Sequence, residues 1–550
     1  MWKETTEERA RHYRRILQKS PAFYAAACSP GPDGEPDLAD ENAAIDKLSD
    51  GTQGVTFEAL SEGKESVIAG CGEDAGGDVL PEAVANVCDL VLAPALHAYV
   101  LWVLRDALQK GKKRLYFLAR DAYFMYRAAV RICAAYDLPL SCRYLSCSRY
   151  SVRIPLYHLD VDAALDYICR GGIDVTLHKI LGRAGLTENE KQEVLEALRA
   201  DGTLPYRIDE PVPYAKLKGI QKQLRECRPF LAHMTRHSKE AMPALLSYLR
   251  QEGLFDDVPS ALVDSGWVGS MQKVLQEAIA YGRQEAAAAG AAADDSTAGS
   301  RAPARMAAAD KPSTDAGKCG IVLEGWYWGL YELPAGVDPD TYHCFSFGPG
   351  RADISRKVYF SNCLFEAVFS APHGMTLSYR ETADGWQPVY ARIPAKQQAF
   401  MKALKARFDR YTQNLIRQAD SCGQLRIGRG TIDALLRLFM TEPTVQEAAY
   451  FGSLHFSDDV VDHSGQQLAA GLTQEELTCN HALYKILSML GIRRGYVRES
   501  AWYEGSAVCG GQNVERHLRG YARYKKLLYR RRQQNPAATD KDRLHTQPEE

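Results

Sequence analysis

The chain has 550 residues, 46% hydrophobic and 25% charged, with a formal net charge of −2. That is a globular composition with length for roughly two to four domains, and its near-zero charge excludes a protein dedicated to wrapping nucleic acid. The 14 cysteines show no C-x-x-C pair and sit mostly in apolar segments, as Cys133, Cys363 and Cys509 do. They read as reduced core thiols of a cytoplasmic protein, not as a disulfide framework or a zinc site.

The N-terminus is charged and lacks the apolar stretch of a signal peptide. Residues 5–28 read as a first helix, and 29–78, rich in Gly, Asp and Glu, as a loosely ordered segment. A helix is expected from Pro81 to Lys110. Its apolar run is interrupted by Asn86, Asp89, His97, Arg105 and Asp106, so it reads as a buried helix and no transmembrane segment is expected. A strand at Arg114–Leu118, a helix from Ala122 to Tyr136 and a strand at Cys142–Cys147 make a βαβ unit, whose strands run parallel. Residues 155–256 carry helical periodicity in Val161–Cys169, Glu188–Ala200, Tyr214–His233 and Ser238–Glu252. They form a helical insertion, either a packing appendage or a lid.

The strand Ala261–Asp264 returns to the sheet, and a helix follows from Gly269 to about Tyr281. Residues 284–317 are Ala-rich and of low complexity, which predicts a flexible surface insertion. Aromatic strands are expected at Ile321–Leu330 and Tyr342–Phe347. Beyond Ser355 the pattern is mostly helical, in Val358–Phe369, Lys396–Gln418, Thr431–Met440 and Leu483–Leu490, with a hairpin from Met375–Arg380 and Trp386–Tyr390. The expected division is therefore 1–78, an N-terminal helix and loose segment; 79–350, an α/β core with both insertions; 351–530, a helix-rich C-terminal domain; and 531–550, a polar tail.

Two segments carry the chemistry. In Arg114-Leu-Tyr-Phe-Leu-Ala-Arg-Asp121 an apolar run ends in an Arg-Asp pair just before a helix, which delivers a carboxylate to the carboxyl edge of a parallel sheet, where ligands bind. The same arrangement recurs in Ser260-Ala-Leu-Val-Asp264-Ser-Gly266-Trp-Val-Gly269-Ser270. If both strands share one sheet, Asp121 and Asp264 face one cleft. Asp121 suits a Mg²⁺ ligand or a nucleophile toward phosphorus; the structural alternative is a plain ion pair with Arg120 or Arg127. Ser265, Gly266, Gly269 and Ser270, between a strand and a helix N-terminus, suit a phosphate: glycines let the backbone approach an anion and serines add donors. Ser146, Ser148, Arg149 and Arg153 after the second strand offer hydroxyls and guanidinium groups to phosphate oxygens, or else simply cap a helix. Trp326, Tyr327 and Trp328 read as core before they read as a stacking platform. The basic run from Arg516 to Arg532 reads as the face and end of a last helix, with peripheral contact to anionic lipid or an acidic partner as the functional alternative.

As a set, Tyr116-Phe-Leu-Ala-Arg-Asp-Ala-Tyr, Tyr144-Leu-Ser-Cys-Ser-Arg, Val263-Asp-Ser-Gly-Trp-Val-Gly-Ser, Gly325-Trp-Tyr-Trp-Gly-Leu, Ala371-Pro-His-Gly, Glu447-Ala-Ala-Tyr-Phe-Gly-Ser-Leu-His-Phe-Ser-Asp-Asp and Trp502-Tyr-Glu-Gly-Ser resemble predicted hydrolases of the haloacid dehalogenase superfamily associated with surface-polysaccharide genes. The resemblance covers about residues 80–530 apart from the Ala-rich insertion. It implies a Rossmann-like parallel sheet, a nucleophilic Asp121, a Ser at 146 or 148 after the second strand, Asp264 as a second Mg²⁺ ligand, and a phosphorylated sugar or other glycan precursor as partner. The chain departs from the superfamily's Asp-x-Asp pattern at Tyr123, where the general acid would stand, and Lys239 is a candidate for the lysine expected before its last strand. A type I phosphoribosyltransferase, which binds pyrophosphate and ribose-phosphate at two such turns, is the second enzyme reading. A non-catalytic scaffold that binds a phosphorylated glycan precursor or an assembly enzyme is the third.

Overall fold

The computed structural model describes residues 2–30, 80–172, 175–200, 207–295, 322–456, 466–489 and 498–532. The expected loose segment 29–78 and the polar tail fall almost wholly outside them. Two helices open the chain, α1 (Thr6–Leu17), with a capping box between Thr5 and Glu8, and α2 (Pro21–Cys28). Ser20-Pro21 divides what periodicity predicts as one helix, because proline cannot donate to the preceding turn. The third helix, α3 (Glu82–Gln109), is long and apolar enough by composition to cross a membrane, and 89% of its apolar 18-residue window lies buried in the fold.

Next come β1 (Arg114–Leu118), α4 (Tyr123–Ala135), β2 (Ser141–Leu145) and the short α5 (Arg149–Arg153). The insertion contributes α6 (Val161–Ile168), α7 (Leu177–Arg183), α8 (Glu188–Ala200), α9 (Leu217–Glu226) and α10 (Arg228–Gln251). It encloses its own apolar cluster, including Leu165, Ile180, Leu195, Leu224 and Phe230, while the second half of α10 turns Leu245, Tyr248 and Leu249 to the sheet. The helices predicted to break between His233 and Ser238 are one continuous helix; the break lies instead at Cys227.

After β3 (Ser260–Trp267) comes α11, which runs from Ser270 to Asp295. The Ala-rich segment expected to be flexible from residue 284 thus starts as helix. Alanine has the highest intrinsic helix propensity, and the preceding turns supply the nucleus. The rest of that segment lies outside the described residues. Two further strands, β4 (Glu324–Leu330) and β5 (Tyr342–Phe347), complete a five-stranded parallel sheet of order β2-β1-β3-β4-β5.

Period-two alternation decides what covers each face. Leu115 and Phe117, Ala261 and Val263, Trp326 and Trp328, Phe345 and Phe347 join the main core with α1–α4. Tyr116, Leu118, Leu145 and Leu262 face α10 and α11. Covering both faces is what a parallel sheet of apolar strands requires. Trp326, Tyr327 and Trp328 are fully buried, so none is an open stacking platform.

The helix-rich segment shares the main core. It comprises α12 (Ile354–Val358), α13 (Asn362–Phe369), the antiparallel hairpin β6 (Thr376–Thr382) and β7 (Gly385–Tyr390), α14 (Ala395–Ile416), α15 (Arg429–Thr441), α16 (Val445–Gly452), α17 (Gln474–Cys479), α18 (Ala482–Met489), α19 (Tyr503–Cys509) and α20 (Val514–Arg532). Phe365, Leu404, Phe408, Phe439 and Trp502 join the same cluster as the sheet, a small group around Leu477, Tyr503 and Ala507 lies apart, and Tyr379 and Trp386 of the hairpin pack with Tyr248 and Leu249 of α10 in the cluster on the other face. The helices of this segment therefore help cover one face of the sheet, while its hairpin packs in the cluster of the other face. The twelve described cysteines are all free, most of them buried.

Candidate functional site

Strand order reverses around β1. The chain passes from β1 out to β2 on one side, then returns to place β3 on the other. Crossovers leaving in opposite directions open a crevice above the carboxyl ends of β1 and β3, the usual ligand position in an open α/β sheet. Asp121 and Asp264 both lie there. Asp121 stands three residues beyond the end of β1. Asp264 belongs to β3, which does not stop there as the sequence pattern predicts but continues to Trp267. The extension pairs with β4 alone, Gly266 opposite Gly329, whereas pairing with β1 ends at Phe117 and Val263. Asp264 is therefore at the lip because β1 ends, not because β3 does.

The two carboxylates are tied together. The Ser265 hydroxyl donates to Asp121 Oδ2 at 2.6 Å, and the Ser265 amide donates to Asp264 Oδ1 at 2.9 Å. Tyr99 of α3 anchors the strand from beneath, donating to the carbonyls of Asp264 and Trp326. Burial raises the Asp121 pKa, against the Ser265 hydrogen bond and the charges of Arg120 and Arg149. Burial, then the like charge of Asp121, pushes Asp264 up to about 7, against hydrogen bonds from the Ser265 and Gly266 amides and the charge of Arg149. Two carboxylates in one low-dielectric crevice cannot both ionise freely, so near neutral pH the pair holds a proton or draws a cation.

The charges of Arg120 and Arg149 act on Asp121, and that of Arg149 on Asp264. Arg120 is half-buried, and its guanidinium makes no hydrogen bond or ion pair among the described residues. Arg127, the alternative partner for Asp121, is engaged elsewhere: it donates to Asp409 of α14 at 2.8 Å, and Arg131 binds the same carboxylate. The plain Asp121–Arg127 pairing is thus excluded.

The serines after β2 have structural occupations. Ser146 is buried; its hydroxyl lies 2.7 Å from that of Tyr390, and its amide donates to Tyr248 at 2.9 Å. Ser148 caps α5 in a box with Ser151 and donates to the Thr376 carbonyl at 2.6 Å. Neither is directed to the carboxylate pair by these bonds. Gly266 and Gly269 are required by the backbone whether or not an anion binds. Their φ angles are +111° and +66°, and a Cβ would stand 2.4 Å from the Gly329 carbonyl and 2.8 Å from the Tyr342 ring. Ser270 opens α11, half-buried.

The site also contains residues that sequence reasoning left out. His373, in the loop before β6, accepts from the Tyr144 hydroxyl at Nε2 (2.8 Å) and donates from Nδ1 to its neighbour's carbonyl, Gly374 O (2.8 Å). Burial, with the nearby Arg120 charge, lowers its pKa to about 4, so it is a neutral imidazole. Tyr390 stacks on it at 4.1 Å. Cys147 is buried after β2, and burial together with the Asp264 charge holds its thiol protonated. Tyr123, in place of a general acid, is fully buried among Phe124, Tyr144 and His373. Ala371-Pro-His-Gly and Tyr144-Leu-Ser-Cys-Ser-Arg were the sequence signals for these residues, with no role attached to His373 or Cys147. Lys239 is exposed on α10.

Among the described residues no cluster of three or more His, Cys, Asp or Glu side chains suits a metal ion. Mg²⁺, however, commonly takes only one or two carboxylates and completes its octahedron with water and substrate phosphate. The hard oxygens of Asp121 and Asp264, whose ionisation is resisted by burial and mutual repulsion, fit that demand. In the basic terminal helix, Lys525 is structural, donating to the Phe360 carbonyl and pairing with Glu504, while Arg516, Arg519, Arg523, Lys526, Arg530 and Arg531 are exposed. No protein-family model matches the chain, and no curated protein matches it significantly.

Proposed function

We propose that this chain handles a phosphorylated sugar or nucleotide-sugar at the Asp121–Asp264 crevice with Mg²⁺, as a haloacid dehalogenase-like phosphohydrolase or phosphotransfer protein in the cytoplasmic supply of surface-polysaccharide precursors. The observation that carries this reading is the joining of the two carboxylates through Ser265 where the strand order reverses, with the unpartnered Arg120 beside them. Mg²⁺, when bound, offsets phosphoryl charge. Arg120 and Arg149 orient the phosphoryl oxygens. Ser265 holds Asp121 in place by its 2.6 Å bond to one carboxylate oxygen. The other oxygen attacks phosphorus, the bond to the leaving oxygen breaks, and water then cleaves the aspartyl-phosphate.

The buried Tyr123 favours a second reading, ligand binding without turnover, because no carboxylic acid stands two residues after Asp121 to protonate a leaving alkoxide. Purified protein with Mg²⁺ is to be screened against sugar phosphates, nucleotide-sugars and phosphoribosyl pyrophosphate, beside Asp121→Asn. Phosphate release abolished by the substitution supports the nucleophile. Release that the substitution leaves unchanged refutes it, pyrophosphate release to a nitrogenous acceptor indicates a phosphoribosyltransferase, and tight binding without turnover indicates the scaffold.

A further inference from the structure

We propose that the outward face of α20 docks the protein on an anionic bilayer surface. Its basis is independent of the phosphoryl reading of Asp121 and Asp264.

Arg516, Arg519, Arg523, Lys526 and Arg530 recur at alternating steps of three and four residues. They therefore form one stripe along the helix, about 21 Å long at about 1.5 Å per residue. All five are exposed. The opposite face fixes the helix to the fold. Val514, His517 and Lys525 are buried, Lys525 donates to the Phe360 carbonyl, and Tyr529 stacks on Tyr331 at 5.5 Å. Tyr331 follows the carboxyl end of β4, so the last turns of the stripe lie at the same edge of the sheet as the crevice.

A basic helix face is ordinarily solvated and laced with acidic residues three or four positions away. Here Glu515, in the first turn, is the only acidic residue of α20. It reaches Arg519 at 3.7 Å, with side chains 78% and 71% exposed, and such a surface pair contributes little. Arg516, Arg523, Lys526 and Arg530 make no ion pair among the described residues. Like charges along one stripe repel, and a surface of fixed negative charge removes that repulsion. On a chain of formal net charge −2, this concentration of cations is local.

Two observations select a bilayer over other polyanions. Leu527 stands at the border of the stripe, one turn from both Arg523 and Arg530, and is 46% exposed. An apolar side chain beside cations enters the boundary between lipid headgroups and acyl chains. Tyr521 and Tyr529 stack on Tyr503 and Tyr331 of the fold at 4.1 and 5.5 Å, so neither is an open platform for nucleotide bases.

The test is co-sedimentation of the full chain with vesicles of phosphatidylcholine alone and of phosphatidylcholine mixed with phosphatidylglycerol. Heparin binding serves as the lipid-free polyanion control. The expected result is at least about tenfold tighter binding to the anionic vesicles, weakened by added salt. Arg523→Gln, Lys526→Gln and Arg530→Gln combined should lose at least about tenfold for those vesicles. Leu527→Ser should lose about threefold or more for the vesicles and leave heparin binding within about twofold. These side chains are exposed, so the variants should melt with wild type. If the combined variant melts early, Arg523→Gln and Arg530→Gln alone keep the test valid, each losing about threefold to fivefold. Equal binding to both kinds of vesicle, or anionic binding that the combined variant leaves unchanged, overturns the proposal. Leu527→Ser that weakens neither vesicles nor heparin, or both alike, indicates a soluble polyanion as partner and overturns the assignment to lipid.

Discussion

Asp264→Asn tests the electrostatics of the crevice directly. Asparagine keeps the shape and the acceptor for the Ser265 amide, 2.9 Å from Oδ1, and removes one ionisable group. A carboxyl group raised in the folded state is neutral in both states below about pH 4. Above that it ionises first in the unfolded chain, so the native state loses relative stability until the pH passes the folded value, about 7 for Asp264. A rise from 3.8 to about 7, at about 1.36 kcal/mol per pH unit, bounds the effect near 4 kcal/mol. Asp264 keeps part of its surface at the crevice mouth, and solvent screening there brings the working figure to about 2 kcal/mol. Denaturant unfolding of both proteins in chelator should therefore give nearly equal stabilities at about pH 4. The variant's advantage should grow through about pH 6 and level off near pH 8. Saturating Mg²⁺ should stabilise wild type at pH 8 and close the gap, without doing so for the variant. An advantage independent of pH, or none at pH 8, would refute the raised pKa of Asp264.

Other parts of the fold give independent checks. The buried Arg9–Glu447 pair joins α1 to α16, and Glu447 also accepts from Tyr13 at 2.7 Å; Glu447→Ala should lower stability by about 3–5 kcal/mol in denaturant unfolding. Anion titrations of that variant below its melting temperature should match wild type. Gly266→Ala forces a Cβ to 2.4 Å from the Gly329 carbonyl at a φ of +111°, so a loss of about 3 kcal/mol or no soluble protein is expected, read by thermal melting. His373 should show no imidazole titration by NMR from about pH 8 down to pH 5, since its pKa lies at about 4. Tyr144→Phe removes the donor to Nε2 and should lower stability by about 1–2 kcal/mol, measured by melting.

The two carboxylates were legible in the chain because their signal is local. An apolar run followed at once by Asp and a helix states both the strand and its carboxyl end, and in β1 the predicted bounds Arg114–Leu118 are those observed. The extent of β3 was not legible, since Gly266 reads equally as a turn or as a strand residue until Gly329 stands opposite it. The occupations of Ser146 and Ser148 were not legible either. Their partners Tyr248, Tyr390 and Thr376 lie 102, 244 and 228 residues further along the chain, and nothing in a hydroxyl's own neighbourhood names a distant partner.

The same division runs through the whole molecule. Local pattern settles which residues become helix or strand, and alternation in β1 and β3 dictates that both sheet faces must be covered, because each is apolar. It does not settle what covers them. Residues 351–530 look self-sufficient along the chain, yet Phe365, Leu404, Phe408 and Trp502 bury their area in the same core as Phe117 and Trp328. Burial is non-directional and rewards any well-packed surface, so long-range packing makes that choice. Long-range packing also tied Ser265 to Asp121 and gave Arg127 to Asp409, bringing two aspartates separated in sequence together at one edge of the sheet.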